Sequence, residues 1–223
     1  EAAIALAEKY DFIFATVGIH PHDASQVTDA DMSRLEGLAR HPKVIAVGET
    51  GLDFYRNRSS KEAQVNVFKG HLDLASKAGL PAVIHSRNAK DEVFDILKEW
   101  VGGKKRDSRP VGVLHCFSGD AELGRKYIDM GFLLSFAGPV TYPKSSAANV
   151  AKEIPLDKML IETDCPFLTP QAHRGKRNEP SYVSYVASKI AEVKGVPAES
   201  VAEATSANAI RLFHLPVKQV VER

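Results

Sequence analysis

Six apolar runs recur along this chain, each ending on a hydrophilic, chemistry-capable residue, and helical stretches separate them. Short runs of mainly branched apolar residues read as strands buried on both faces, and strands alternating with helices build a parallel sheet from βα units. Four of the endings matter most: Val44–Glu49 (VIAVGE), Ala82–His85 (AVIH), Val111–His115 (VGVLH) and Met159–Asp164 (MLIETD). A closed βα barrel brings the C-terminal ends of all its strands to one face. Two carboxylates and two imidazoles would then surround one point, which is the donor set of a hydrolytic metal site.

Composition sets few limits. The 223 residues are 44% hydrophobic and 26% charged, ordinary values for a globular protein, and no compositional shift divides them, so one domain over residues 1–223 is expected. No run is long enough to span a bilayer and no basic-then-apolar leader opens the chain, which predicts a cytoplasmic protein without a membrane partner. The two cysteines, Cys116 and Cys165, are too few for a disulfide framework and read as reduced packing residues. With 29 basic and 28 acidic residues the net charge is +1, so any binding of nucleic acid must come from a local patch. No obligate protein partner is indicated.

Local signals place the helices. EAAIALAEKY reads as a helix tail and FIFATV as the first strand. Thr28 with Asp31 caps a helix to about Arg40, and Ser59 with Glu62 predicts a capping box for the helix that stops at Gly79. Further helices are expected from about Asn88 to Val101, Ala121 to Met130, Ser145 to Glu153, Ser181 to Lys194 and Ala198 to Phe213, with FLLSFAG as the fifth strand. The polar stretch from Gly102 to Pro110 reads as a surface loop. Six strands are two short of a closed barrel, and at roughly 30 residues per βα unit the expectation is a (β/α)8 barrel of which this chain carries about six units, with roughly 50 residues preceding Glu1.

Each candidate ligand also has a plainer reading. Glu49 at a buried strand end is either a salt-bridge partner or a carboxylate whose lone pairs bridge two cations. His85 and His115 are hydrogen-bonded core histidines or metal ligands, and Asp164, before Cys165 and Pro166, is a turn cap or a ligand. Four such endings in one barrel favour the metal. Phe54, Tyr55 and Phe117 follow strand ends and can stack on bases or pack in the core.

The motifs GIHPHD (Gly18–Asp23), VGETGLDFYR (Val47–Arg56), PAVIHSRNAKDE (Pro81–Glu92), LHCFSGD (Leu114–Asp120), LIETDCPFLTP (Leu160–Pro170) and HRGKRNEP (His173–Pro180) follow one another along almost the whole chain. In order and spacing this series resembles the TatD-related metal-dependent deoxyribonucleases, a branch of the amidohydrolase-like barrels. Ala82 and Met159 are conservative departures from the family pattern. A larger one is that the family's first strand carries an aspartate followed by two histidines one residue apart, and no such motif stands here; His20 and His22 share the spacing but belong to GIHPH. The resemblance implies that those ligands lie upstream of Glu1, or else that the chain is a degenerate, inactive binding module.

Carried over, the resemblance implies two divalent ions (Mg, Mn or Zn), with Glu49 as the bridging carboxylate, His85 and His115 on the second ion, and Asp164 on the first and able to take a proton from water. It makes Glu49 and Asp164 the catalytic residues of a phosphodiester hydrolase acting on DNA, an exonuclease trimming single-stranded ends from the 3′ side. His20, Arg87, His173, Arg174, Lys176 and Arg177 are then candidates for holding substrate phosphates, the plainer reading of the basic loop being a solvated surface. A small-molecule amidohydrolase on the same barrel is the alternative, which a basic mouth disfavours.

Overall fold

The branched apolar runs pair, in chain order, into one parallel sheet in the computed structural model, which describes residues 1–102 and 109–216. Its strands are β1 (Ala15–Val17), β2 (Val44–Asp53), β3 (Ala82–Arg87), β4 (Gly112–Leu114), β5 (Phe132–Phe136) and β6 (Met159–Ile161). Helix α1 (Ala2–Lys9) leads in, and α2 (Asp29–Leu38), α3 (Lys61–Ala78), α4 (Lys90–Gly102), α5 (Ala121–Asp129) and α6 (Ala147–Glu153) follow β1 to β5 in turn. The last two helices, α7 (Val183–Lys194) and α8 (Ala198–Phe213), come after β6. Strands that each neighbour their predecessor, with a helix between, are wound as in a TIM-type barrel, so their C-terminal ends share one face. Among the described residues β1 and β6 are the outer strands, and no helix is long and apolar enough to cross a membrane.

Side chains alternate across the sheet and divide the core in two. Ile84, Leu114, Leu134 and Phe136 pack outward with Phe68 and Leu72 of α3, Leu97 of α4 and Tyr127 of α5. The intervening residues Val83, Val113 and Leu133 stand opposite one another in register, and with Leu160 they form a second cluster closed by Leu212 and Phe213 of α8. Each fully buried aliphatic side chain contributes about 1.5–3 kcal/mol, so this floor holds the strand ends in place.

Several expected boundaries move. Glu49 and His85 are not terminal, because β2 runs on to Asp53 and β3 to Arg87. The cap of α3 is Ser60, whose Oγ accepts the Ala63 N–H at 3.2 Å; buried Ser59 instead accepts the Ser25 N–H at 3.0 Å and donates to the His22 carbonyl at 2.8 Å. The Thr28 and Asp31 capping box of α2 is present as expected. Asn88 has φ of 53°, a left-handed conformation that excludes it from α4. A single 3-10 turn at Pro180–Tyr182 delays α7 to Val183. Most of the polar stretch from Gly102 to Pro110 lies outside the described residues.

Buried His71 ties α3 to the segment after β1. Its Nδ1–H donates to the Val67 carbonyl at 2.7 Å, which leaves Nε2 to accept the Ile19 N–H at 2.9 Å. Burial lowers its pKa from the ordinary 6.5, against the opposing bond to Val67. The folded chain therefore holds fewer protons at this site than the unfolded chain, and the stability this gives is present above 6.5 and lost as pH falls through the lowered value. His71→Leu should cost about 1–3 kcal/mol by orphaning the Ile19 N–H. Urea melts at about pH 7.5 and about pH 5.5 should show the gap between wild type and variant narrowing in acid; a gap independent of pH would mean that His71 is not held neutral.

Candidate metal centre

The approach of β2 to β3 sets the geometry. Gly51 stands opposite His85 with φ of 137°, and a Cβ there would lie 2.0 Å from the His85 carbonyl oxygen. Only glycine allows that contact. It brings the Glu49 carboxylate to His85, whose Nδ1–H donates to Oε1 at 2.7 Å. The other ring nitrogen of His85 lies 3.3 Å from Asp53 Oδ2.

His115, just past β4, completes the group. Its Nδ1–H donates to Glu162 Oε2 at 2.7 Å, which turns Nε2 toward Glu49 Oε1 at 3.6 Å and Asp164 Oδ1 at 3.7 Å; burial lowers the pKa of the ring, but the Glu162 bond and the charges of Glu162, Glu49 and Asp164 raise it to about 9, so a cation here would take the place of the Nε2 proton. These separations are too long for hydrogen bonds. Ligand atoms each about 2.1 Å from a shared cation stand roughly 3.0–3.6 Å apart, so a small inward shift of these side chains would let them share an ion. Ligand atoms of His20, Glu49 and His85 also lie within 4.8 Å of one another, as do those of His115, Cys116 and Glu162. The second group is better read as support for a site than as a site. Both Glu162 oxygens are engaged, Oε1 accepting the Cys116 N–H at 2.6 Å, and burial pushes the Cys116 thiol up, away from the thiolate a metal needs.

His20 has a different task from the other imidazoles. Its Nδ1 accepts the His22 N–H at 3.2 Å, and burial lowers its pKa, so the neutral ring carries its proton on Nε2, 3.8 Å from Glu49 Oε1. That places a donor, not a lone pair, at the cavity. Glu49 is held at about 2: burial raises it, but the His85 hydrogen bond and the charges of His115 and His85 outweigh burial. Asp164 is raised, by burial first and then by the Glu49 and Glu162 charges acting against His115. One carboxylate stays ionised while the other is prone to take a proton.

Asp53 and Glu162 were not singled out in the sequence, although both lie inside quoted motifs. Asp53 is 1% exposed. Its Oδ2 accepts from His22 Nε2 at 2.9 Å and its Oδ1 accepts the Tyr55 and Arg56 N–H groups at 3.0 and 2.9 Å. Burial raises its pKa, but these bonds and the His85 charge hold it at about 2.

The candidate substrate contacts divide. A cavity of about 910 Å³ opens over the carboxylates, and His20, Arg87 and also Arg56 and Arg58 line it. His173, Arg174, Lys176 and Arg177 do not. The His173 ring stacks on Tyr182 at 4.3 Å and its Nε2 is 2.8 Å from the Tyr185 hydroxyl, while the Arg174 guanidinium lies 4.2 Å from the centre of the Tyr142 ring. The Lys176 carbonyl accepts from Thr169 Oγ1 at 2.7 Å, and the Arg177 side chain is exposed. Phe117, 8% exposed, packs edge-on to Tyr127 and Phe136 as a core residue would.

A family model described as TatD related DNase matches residues 1–214. The chain belongs to this family. It is 47% identical over 214 residues to YabD of Bacillus subtilis (strain 168), described as an uncharacterized metal-dependent hydrolase, covering 96% of this chain and 82% of that protein. A Salmonella typhimurium protein described as 3′-5′ ssDNA/RNA exonuclease TatD is 34% identical over 221 residues, covering 96% of this chain and 83% of that one. Among solved structures, the TatD homologue YjjV of Escherichia coli K12 superposes with a TM-score of 0.89 at 31% identity, over 96% of this chain and 82% of that one.

If Glu162 orients His115, then Glu162→Gln should weaken divalent-ion affinity by roughly 10-fold to 100-fold, and Glu49→Gln should weaken it further, with the fold kept. Competition titration against a chelator reads both. Unchanged affinity in Glu49→Gln would remove it from the centre.

Proposed function

We propose that this TatD-family protein is a metal-dependent deoxyribonuclease that trims single-stranded DNA ends from the 3′ side, with residues 1–223 acting as one hydrolase domain. Glu49, His85, His115 and Asp164 hold two divalent ions (Mg, Mn or Zn) in this reading. The observation that carries it is the pairing of two features in one cavity: carboxylate and imidazole atoms 3.6–3.7 Å apart on the floor, and Arg56, Arg58 and Arg87 on the wall. A neutral amide needs no such cations. The Salmonella relative, whose description names this activity, supports the polarity.

When bound, divalent ions polarise a phosphoryl oxygen and lower the pKa of an attacking water. The protein's own groups do the remaining work. Glu49 stays ionised, with Oε1 between His85 and His115, and would help to hold the cations. Asp164 Oδ1 takes the proton of the attacking water as the new P–O bond forms, and can return it to the departing 3′ oxygen as the old one breaks. Neutral His20 donates Nε2–H to a non-bridging oxygen, holding the phosphorus in line. Arg87, its guanidinium 4.0 Å from the centre of the Tyr55 ring, is braced to fork onto a neighbouring phosphate.

End-labelled single strands of DNA and RNA, incubated with the protein and Mg, Mn or Zn, test substrate, polarity and metal together. Arg87→Ala should lose roughly 10-fold to 150-fold in kcat/KM on DNA, the equivalent of about 1.5–3 kcal/mol. Its log-log salt slope should flatten by about 0.7 for a single strand. Arg174→Ala with Lys176→Ala should do much less. Loss confined to the double variant would return the phosphate site to the HRGKR loop, and no cleavage of any strand by the wild-type protein would end the nuclease reading.

A further inference from the structure

The cavity has two unlike walls. Arg56, Arg58 and Arg87 form the cationic one. The end of β5 and the segments after β5 and β6 contribute Phe136, Pro139, Val140, Phe167 and Leu168, an apolar face beside Asp164 and the serines Ser145 and Ser146.

The apolar wall is built to stay in place. A Cβ on Gly138 would lie 1.8 Å from the Leu168 carbonyl oxygen, so the two segments touch backbone to backbone. The Tyr142 hydroxyl donates to the Thr169 carbonyl and the Gln171 N–H to Thr141 Oγ1, each at 2.8 Å. Phe167 is pinned from both sides: its N–H donates to the Asp164 carbonyl at 2.9 Å, and its carbonyl accepts at 2.5 Å from Nδ2 of Asn178, a residue only 2% exposed. Its ring is nevertheless 68% exposed. An aromatic ring on a fixed backbone offers its apolar face to a ligand at small conformational cost.

We propose that this wall seats the nucleobase of the strand's terminal nucleotide, stacked on Phe167, while the phosphodiester chain crosses the arginine wall. The inference rests on the nuclease reading and names how the strand end enters the cavity. Charge decides the orientation, since phosphates belong on the cationic wall and the base is the large uncharged face of a nucleotide. An aromatic and aliphatic face grips every base through its π face, which makes trimming tolerant of sequence. Phe167 bonds to the Asp164 carbonyl, so seating the base also positions the adjacent phosphate against that carboxylate.

Two measurements on the metal-loaded protein test this. The first uses cleavable single strands ending in either an ordinary nucleotide or an abasic residue. Phe167→Ala should cut the ratio of their kcat/KM values by roughly 5-fold to 150-fold, the range of one lost base–aromatic stack, and Phe167→Trp should restore it. The second uses strands protected by terminal phosphorothioates and carrying 2-aminopurine at the 3′ or the 5′ end. Fluorescence should be quenched at the end that enters the cavity, and the quench should be lost in Phe167→Ala. An unchanged ratio, an equal loss on both strands, or a quench that survives Phe167→Ala overturns the seat while cleavage continues. If the wild-type protein cuts neither strand, the nuclease reading and this inference fall together, and the two failures are told apart by that control.

Discussion

A carboxylate in the middle of a buried strand is the constraint on which the rest of this molecule turns. Glu49 belongs to β2, where burial penalises its charge, and three imidazoles face it: His85 at 2.7 Å, His115 at 3.6 Å and His20 at 3.8 Å. Each comes from a different segment of chain, so their convergence needs the sheet as a whole. Gly51 removes the side chain that would hold β2 and β3 apart, and the apolar floor of Val83, Val113, Leu133 and Leu160 keeps the strand ends level. Such a cluster is poorly satisfied by hydrogen bonds alone, because the His115 contacts to Glu49 and Asp164 are too long. A cation satisfies it.

Around that centre, two carboxylates, buried Asp53 and partly buried Glu162, convert position into chemistry. Glu162 fixes the orientation of His115 by taking its Nδ1–H, and Asp53 does the same work for His22 while capping the turn that bears Tyr55 and Arg56. One side chain thus couples the imidazoles on the floor to the cationic wall. Ser59 adds a brace from α3's entry to the His22 carbonyl. The imidazoles are thus oriented by carboxylate partners, a common arrangement where histidines bind metal ions.

Parallel strand order, the βα alternation and the convergence of Glu49, His85, His115 and Asp164 on one cavity were legible because each rests on a local signal: branched runs, capping residues and a polar residue near the end of a run. The Thr28 and Asp31 cap was readable for the same reason. Asp53 was not, since an aspartate after GL looks like any strand terminator until its partners, His22 and His85, are known. Glu162 likewise looks like filler between Ile161 and Asp164. The basic loop misled in the opposite direction. His173, Arg174, Lys176 and Arg177 form the densest basic segment after β6, yet His173 and Arg174 are drawn against Tyr182 and Tyr142, and none of the four reaches the cavity. Arg56 and Arg58, inconspicuous in sequence, take that place.

By itself the sequence determined the winding of the sheet, the identity of the donors that close on Glu49 and the family to which the chain belongs, because hydrophobic period, turn chemistry and motif order are properties of neighbours along the chain. Only the tertiary structure decided which ring nitrogen of each histidine faces the centre, which carboxylates hydrogen-bond the imidazoles, and which cationic side chains line the cavity. Those depend on distances between segments as far apart in sequence as Glu49 and Asp164, and a hydrogen bond or a ligand contact is decided within a fraction of an ångström.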